Sequence, residues 1–380
     1  MSDTQKNKKP NVPNLRFPGF EGEWKCSKLS AYLYENKERN RAGEFNKSDV
    51  LSVSGDCGIV NQIELLGRSF AGKSVADYHI VRTGNIVYTK SPLKEYPYGI
   101  VKYNSGKDGI VSTLYAVYHH RENVNGRFVE HYFTSPQRTN KYFKPIVRIG
   151  AKHDMKIGNN EVLDNTVLFP GLKEQNRITE LLDLLDQRIA IQNKVIERYE
   201  SLIKALAHEI IGKKKKNSFL ADTVNCSASL LKESDLNNNN RMFPTYGAAG
   251  LSGYTDKCLS ERDSILITKD GSGVGSLRYV SGKHSFVGTL NSLTPKEGIY
   301  LPYIYYALFC VNFDTYKTGQ AIPHIYFRDY AKESIYCPAY EEQERLAKVL
   351  ELIDSKIKYL REELQGLLSL KAYLLANLLI

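Results

Sequence analysis

The strongest constraint on this chain is an internal repeat. Residues 170–206 read PGLKEQNRITELLDLLDQRIAIQNKVIERYESLIKAL, and residues 338–374 read PAYEEQERLAKVLELIDSKIKYLREELQGLLSLKAYL. At an offset of 168, without gaps, Pro170 falls on Pro338, Glu174 on Glu342, Gln175 on Gln343, Arg177 on Arg345, Asp186 on Asp354 and Ile189 on Ile357. A match at that distance makes the chain a tandem duplication in which a globule and a helix each occur twice.

Both segments read as long helices. Each follows a proline, which cannot continue a preceding helix but is tolerated at an early helical position. Acidic residues in the first turns complement the helix dipole. Apolar positions then alternate by four and three, as in a coiled-coil seam. The first seam is Ile178, Leu182, Leu185, Ile189, Gln192, Ile196, Tyr199, Ile203 and Leu206. The second is Leu346, Leu350, Ile353, Ile357, Leu360, Leu364, Leu367, Lys371 and Leu374. Matching proline starts and an unbroken heptad frame argue against two unrelated amphipathic helices. Gly212 ends the first helix, and Lys213–Lys216 act as a cationic cap and linker or as a phosphate contact.

The segments before the helices carry short β-branched runs punctuated by Gly, Asn and Asp, the pattern of mixed α/β globules. A fainter echo joins them. NIVYTK at 85–90 resembles DSILITK at 263–269, and IVSTL at 110–114 resembles FVGTL at 286–290. Short helical stretches follow around 127–134 and 301–310. Next comes a glycine loop, at Gly150 in one half and Gly319 in the other. The expected fold class is α+β: two mixed α/β domains in a pseudo-two-fold tandem repeat, separated by two long helices that form an antiparallel coiled coil. The expected boundaries are 1–168 (with 1–14 flexible), 169–216, 217–337 and 338–380.

The formal net charge of +10 favours a polyanionic partner, nucleic acid before an acidic membrane surface. Tyrosine, at 26 residues, suits polar interfaces and strands alike. Cys26, Cys57, Cys226, Cys258, Cys310 and Cys337 form no Cys-x-x-Cys pair and have no nearby His at zinc-ligand spacing, so reduced thiols in a reducing compartment are expected. The N-terminus lacks an apolar signal core, and no stretch approaches the roughly 20 apolar residues of a membrane span. The expected location is cytoplasmic, with no membrane partner.

Two strings imitate nucleotide loops. Gly67-Arg-Ser-Phe-Ala-Gly-Lys73-Ser74 fits the phosphate-loop pattern, but weakly strand-like residues precede it and a turn follows soon after. Gly271-Ser-Gly-Val-Gly275 is followed by a strand-like run, which predicts a hairpin rather than a dinucleotide fold. No nucleophile elbow and no metal-ligand spacing appears, so no catalytic, cofactor-binding or metal-binding residue is assigned. Three readings stand on residues alone: a DNA reader, a coiled-coil scaffold whose globules bind protein, and a P-loop nucleotide-binding protein using Lys73.

The ordered set of motifs resembles a known family. Asn14-Leu-Arg-Phe-Pro-Gly-Phe-Glu-Gly-Glu-Trp24, the Pro170…Glu174-Gln175 and Pro338…Glu342-Gln343 helix starts, and Gly319-Gln-Ala-Ile-Pro-His324 are similar to the specificity subunit of Type I restriction–modification systems. The first half departs from the pattern at Gly150, where Ala-Lys-His-Asp replaces Gln-Ala-Ile-Pro. The resemblance implies two target-recognition domains, each reading half of a split site in double-stranded DNA. It implies a non-catalytic chain whose helices dock two modification (methyltransferase) subunits, and restriction/translocase subunits that join them. S-adenosylmethionine, ATP and Mg2+ would then belong to the partners, with no cofactor in this chain.

Under that reading the helices lie seam against seam. Gln192 and Leu360 should meet near the centre, one polar residue fixing register. Lys371 should lie opposite the start of the first helix and extend its ammonium outward. The seam from Ile178 to Leu206 would span roughly 42 Å at about 1.5 Å per residue, against roughly 34–36 Å for a DNA turn. Helix length would therefore set the spacer between half-sites. Phosphate contacts should come from Lys and Arg in the globules, and base contacts need Arg, Lys, Asn, Gln or Ser/Thr at groove edges. The candidates are Lys90, Lys94, Tyr96, Lys152 and His153 in the first half, and Lys269, Ser272, Arg278, Gln320 and His324 in the second.

Overall fold

The computed structural model describes residues 10–150, 155–237, 242–319 and 322–380. By packing, the chain forms two compact units: Met1–Ala190 with Gln365–Ile380, and Ile191–Leu364.

Each unit holds a four-stranded antiparallel sheet built in the same order. In the first the order is Leu33–Glu35, Tyr115–His120, Ile86–Thr89, Val101–Tyr103. In the second it is Val224–Ala228, Leu290–Pro295, Ser264–Thr268, Leu277–Val280. The two echoed strings, NIVYTK and SILITK, supply an inner strand of each sheet. Ile86, Val87 and Tyr88 are fully buried, as are Ile265 and Ile267. Both faces of these strands are covered, which is why they read as continuous apolar runs rather than alternating ones.

A helix follows each sheet's second strand: Gly126–Phe133 in the first unit, Leu301–Ala307 in the second. A short antiparallel pair closes each globule just before its long helix, Lys25–Lys28 with Thr166–Phe169 and Ser218–Phe219 with Ser334–Ile335. The long helices run over Leu172–Ala207 and Tyr340–Asn377. The first continues as a π-helical turn, His208–Gly212, so the helical run ends at the expected glycine.

Within the first unit, Ile178, Leu182 and Leu185 share a core with Leu374, Leu375, Leu378 and Leu379, together with Trp24, Tyr88, Phe128, Phe133 and Phe169 from the globule. Within the second, Ile196 and Ile203 share a core with Leu350, Ile357 and Leu360, and with Ile265, Leu293, Tyr303 and Tyr330. Ile189, Leu346, Ile353 and Leu364 pack against these cores half-buried. The helices are therefore antiparallel and buried on two sides. Ala347, one residue off the seam, is fully buried, as is the head-facing Gln175. The packing units for this reason differ from the sequence division into globules and separate spacers.

Gln192 donates from Nε2 to the Leu360 carbonyl and to Glu363 Oε2, each at 3.0 Å. Lys371 departs from expectation. Its ammonium pairs with Asp186, well inside the helix, instead of extending outward opposite the helix start. A half-buried cation takes the acid that the antiparallel register presents. Residues 10–14 are also not a loose leader: the Trp24 N–H donates to the Asn11 carbonyl at 2.8 Å, and the Leu15 N–H to Asn377 at 2.9 Å. All six cysteines are free thiols.

Candidate nucleic-acid interface

The heads are fastened to their helices by a duplicated device. Gln175 is fully buried; its Oε1 accepts the Asn125 N–H at 2.9 Å and its Nε2 donates to the Pro170 carbonyl at 2.9 Å. Gln343 repeats this, accepting the Tyr300 N–H at 2.9 Å and donating to the Pro338 carbonyl at 2.8 Å. Asn125 and Tyr300 are the N-caps of the two head helices. Glu174 adds a bond in the first half: Arg16 grips it through two 2.8 Å contacts, and Trp24 Nε1 donates to it at 3.4 Å. Thus Glu174, read from sequence as a dipole complement, is a buried anchor for the Arg16–Trp24 motif.

A second duplicated contact lies about two to three helical turns further on. Asp183 and Asp186 in the first unit correspond at the same offset to Glu351 and Asp354 in the second. Asp183 meets His131 at 2.8 Å and Arg127 at 2.9 Å. Glu351 accepts from the Tyr300 hydroxyl at 2.9 Å, and Asp354 from Tyr306 at 3.5 Å. Burial pushes the Asp183 carboxyl up, but the His131 hydrogen bond and Arg127 outweigh it and hold it below the usual range. Burial raises the Asp354 carboxyl. His131, Asp183 and Asp186 are close enough together to suggest a cation site, which sequence spacing hides. Arg127 and Lys371 already match both carboxylates. The trio therefore serves head attachment.

The candidate contacts in the first head separate on inspection. Lys90 ends the inner strand half-buried, and its ammonium donates to Asn159 Oδ1 at 2.6 Å. Burial lowers its pKa, with Glu35 opposing. The Tyr96 hydroxyl donates to the Thr134 carbonyl, so it anchors its loop. Gly99 holds that loop at φ 86°, where a Cβ would stand 2.0 Å from the Thr89 carbonyl oxygen. Lys94 is exposed on the same loop. Lys152 and His153 lie outside the described residues. The strands flanking them, Arg148–Ile149 and Met155–Lys156, pair antiparallel and expose Arg148, Ile149 and Lys156.

The second head brings its candidates together better. Its inner strand ends at Thr268, and the loop Gly271–Gly275 joins antiparallel strands as the expected hairpin. That loop is stitched to Thr318–His324: the Gly271 N–H donates to Pro323 and the Ile325 N–H to Lys269, both at 2.9 Å. Lys269, Ser272 and His324 therefore belong to one loop cluster. Gln320 lies outside the described residues. Arg278 is exposed on Leu277–Val280, with its guanidinium against Gly250 at the turn of the Phe243–Gly247 and Gly250–Thr255 hairpin. Sequence reasoning stopped at His324 and missed Tyr326 and Arg328, whose guanidinium lies 4.9 Å over the Tyr326 ring. The basic–aromatic–basic spacing His324, Tyr326, Arg328 was the available signal.

The P-loop reading meets a different structure. Gly67, at φ 74°, caps the short helix Gln62–Leu66, and the chain runs from there through exposed Lys73 to the strand His79–Val81. No strand enters this loop and no helix leaves it, so its N–H groups do not form a phosphate cradle. Among the described residues no helix is long and apolar enough to cross a membrane.

The family described as "Type I restriction modification DNA specificity domain" matches residues 212–368. No curated protein matches the chain. Among solved structures, the Type I restriction–modification S subunit from M. genitalium is similar at 16% identity, covering 97% of this chain and 99% of that one, with a TM-score of 0.59. A chain from work on complex assembly and conformational transition of the type I R-M system is similar at 15% identity, covering 96% and 99%, with a TM-score of 0.51. At these identities the likeness is one of fold.

Proposed function

With residues 212–368 belonging to the Type I restriction modification DNA specificity domain family, and the S-subunit fold running over nearly the whole chain, we propose that this protein is the DNA-reading subunit of a Type I restriction–modification complex. Each head reads one half of a bipartite site in double-stranded DNA. The paired helices set the spacer. The observation that carries this reading is the duplication: one strand order occurs twice, each time locked by a buried glutamine to the start of its own long helix.

The chain performs no chemistry itself. Methyl transfer belongs to two modification subunits that bind S-adenosylmethionine, and ATP- and Mg2+-dependent work to restriction/translocase subunits. Both kinds of partner need a docking surface. The outward sides of the helices supply apolar side chains for it: Leu184, Leu370 and Tyr373 in the first unit, Ile191, Leu352 and Tyr359 in the second, each at least 47% exposed. Such exposure along otherwise polar helices is what a partner helix would cover. Phosphate contacts from head cations give the affinity its salt dependence.

The test is to delete one heptad from each long helix around Gln192 and Leu360, then map methylated adenines in cells that also express the modification subunit. Seven residues at about 1.5 Å shorten the pair by roughly 10 Å, or about three base pairs. The spacer should shrink by that amount while both half-sites stay the same. An unchanged spacer in a variant that still methylates would overturn the reading.

A further inference from the structure

One side chain in the second head is held in a place that the fold alone does not explain. Ile322 is 66% exposed, yet the backbone that follows it is fixed. Thr318 and His324 exchange two N–H···O bonds of 2.9 Å, and the neighbouring Pro323 carbonyl and Ile325 N–H are bonded to Gly271 and Lys269. Beneath the loop Gly319 adopts φ 88°, where a Cβ would stand 2.5 Å from the Ile322 carbonyl oxygen. A β-branched aliphatic side chain is thus presented to water beside the pinned residues Pro323–Ile325.

Its surroundings define what could cover it. The His324 ring meets Tyr326 edge-on at 5.0 Å, and the Arg328 guanidinium lies over the Tyr326 ring at 4.9 Å. Tyr326 itself is 45% exposed and Arg328 still more so. The cations flanking the loop rest on acids of their own segments: Lys269 on Asp270, Lys317 on Asp314, Arg328 on Asp329. The Lys317 and Arg328 pairs are exposed and the Lys269 pair is partly so; such local pairs are weak and exchange readily for a phosphate. An apolar point among exchangeable cations matches a DNA major groove. There the phosphates flank the base edges, and the apolar group on those edges is the 5-methyl of thymine.

We propose that Ile322 contacts a thymine methyl in the half-site read by the second head, while Arg328, stacked on Tyr326, takes an adjacent phosphate. The inference rests on the DNA-reading function above and adds the chemical group that is read.

The experiment uses the full chain with its modification subunit. A target is selected from random duplexes, and each thymine in both halves is replaced singly by deoxyuridine, which lacks only the methyl. Binding is measured by fluorescence anisotropy for the wild type, Ile322→Ala and Arg328→Ala. One thymine, in one half only, should respond, with uracil weakening binding about four-fold, the worth of one buried methyl. Ile322→Ala should weaken binding to the thymine duplex by a similar factor and abolish the thymine–uracil difference. Arg328→Ala should weaken binding to all duplexes and reduce the salt slope by about one. A selected target with no thymine in one half and no uracil response in the other overturns the proposal, as does a uracil response that survives Ile322→Ala. Failure to enrich any sequence over competitor DNA overturns the DNA-reading function itself, a separate result.

Discussion

Replacing Gln175 by Leu tests whether the glutamine locks hold the heads in place. The side chain is fully buried. It accepts from Asn125, the residue that caps Gly126–Phe133, and donates to Pro170 at the mouth of the long helix. Leucine nearly matches its volume, so the cost comes from the abandoned backbone groups rather than from a cavity. Each orphaned buried group costs ~1–3 kcal/mol, and Asn125 is only half-buried, so the sum is about 2–4 kcal/mol. At about 1.4 kcal/mol per tenfold, the low end is a roughly thirty-fold shift in the opening equilibrium. Amide hydrogen exchange reads this residue by residue. Gln175→Leu should deprotect the Asn125 amide and leave Tyr300 unchanged; Gln343→Leu should do the reverse. The two sites share no partner, so the double variant should show the sum of both losses within about 0.5 kcal/mol. If Gln175→Leu costs less than about 0.5 kcal/mol and Asn125 stays protected, the lock is not a lock.

Three further outcomes are expected. His79 is buried with Nδ1 unpartnered, and burial, aided by Arg39 and Lys90, lowers its pKa to about 4. The unfolded chain therefore binds a proton below about pH 6.5 that the folded chain refuses. Stability should fall between pH 6.5 and 4 by up to about 3 kcal/mol, and His79→Leu should flatten that part of a denaturation-versus-pH curve. Gln192→Leu removes a half-buried polar seam residue whose partner Leu360 carbonyl keeps its helix, so thermal unfolding should shift up by the equivalent of about 0.5–1.5 kcal/mol; a downward shift would show that the Glu363 bond outweighs the apolar gain. Gly319→Ala meets both a left-handed backbone and the Ile322 carbonyl, whereas Gly271→Ala, at φ 97°, meets open space. Gly319→Ala should therefore weaken DNA binding more than Gly271→Ala, by a margin of about 1 kcal/mol or more in a titration.

Much of the architecture was legible because it depends on local periodicity. The heptads from Ile178 and Leu346, the echo of NIVYTK in DSILITK, and the hairpin at Gly271–Gly275 each reflect a rule that acts over a few residues. The site was less legible. Lys90 and Lys269 occupy the same place after an inner strand, but Lys90 is spent on Asn159, 69 residues away, and Lys269 on its neighbour Asp270. Tyr96, a candidate DNA contact, has its hydroxyl on the Thr134 carbonyl and anchors its loop. Lys371, expected to extend its ammonium outward, is the partner of Asp186.

The sequence by itself determined that the chain is a duplication, that two long helices pair through apolar seams, and that each globule is organised around a β-branched inner strand, because hydrophobic period and burial act through near neighbours. Only the tertiary structure decided what the repeated polar residues do. Gln175 finds Asn125 from 50 residues away, and His131 finds Asp183 from 52. A buried polar group must take whatever donor or acceptor the fold brings to it, and that partner is set by packing across the unit, not by spacing along the chain.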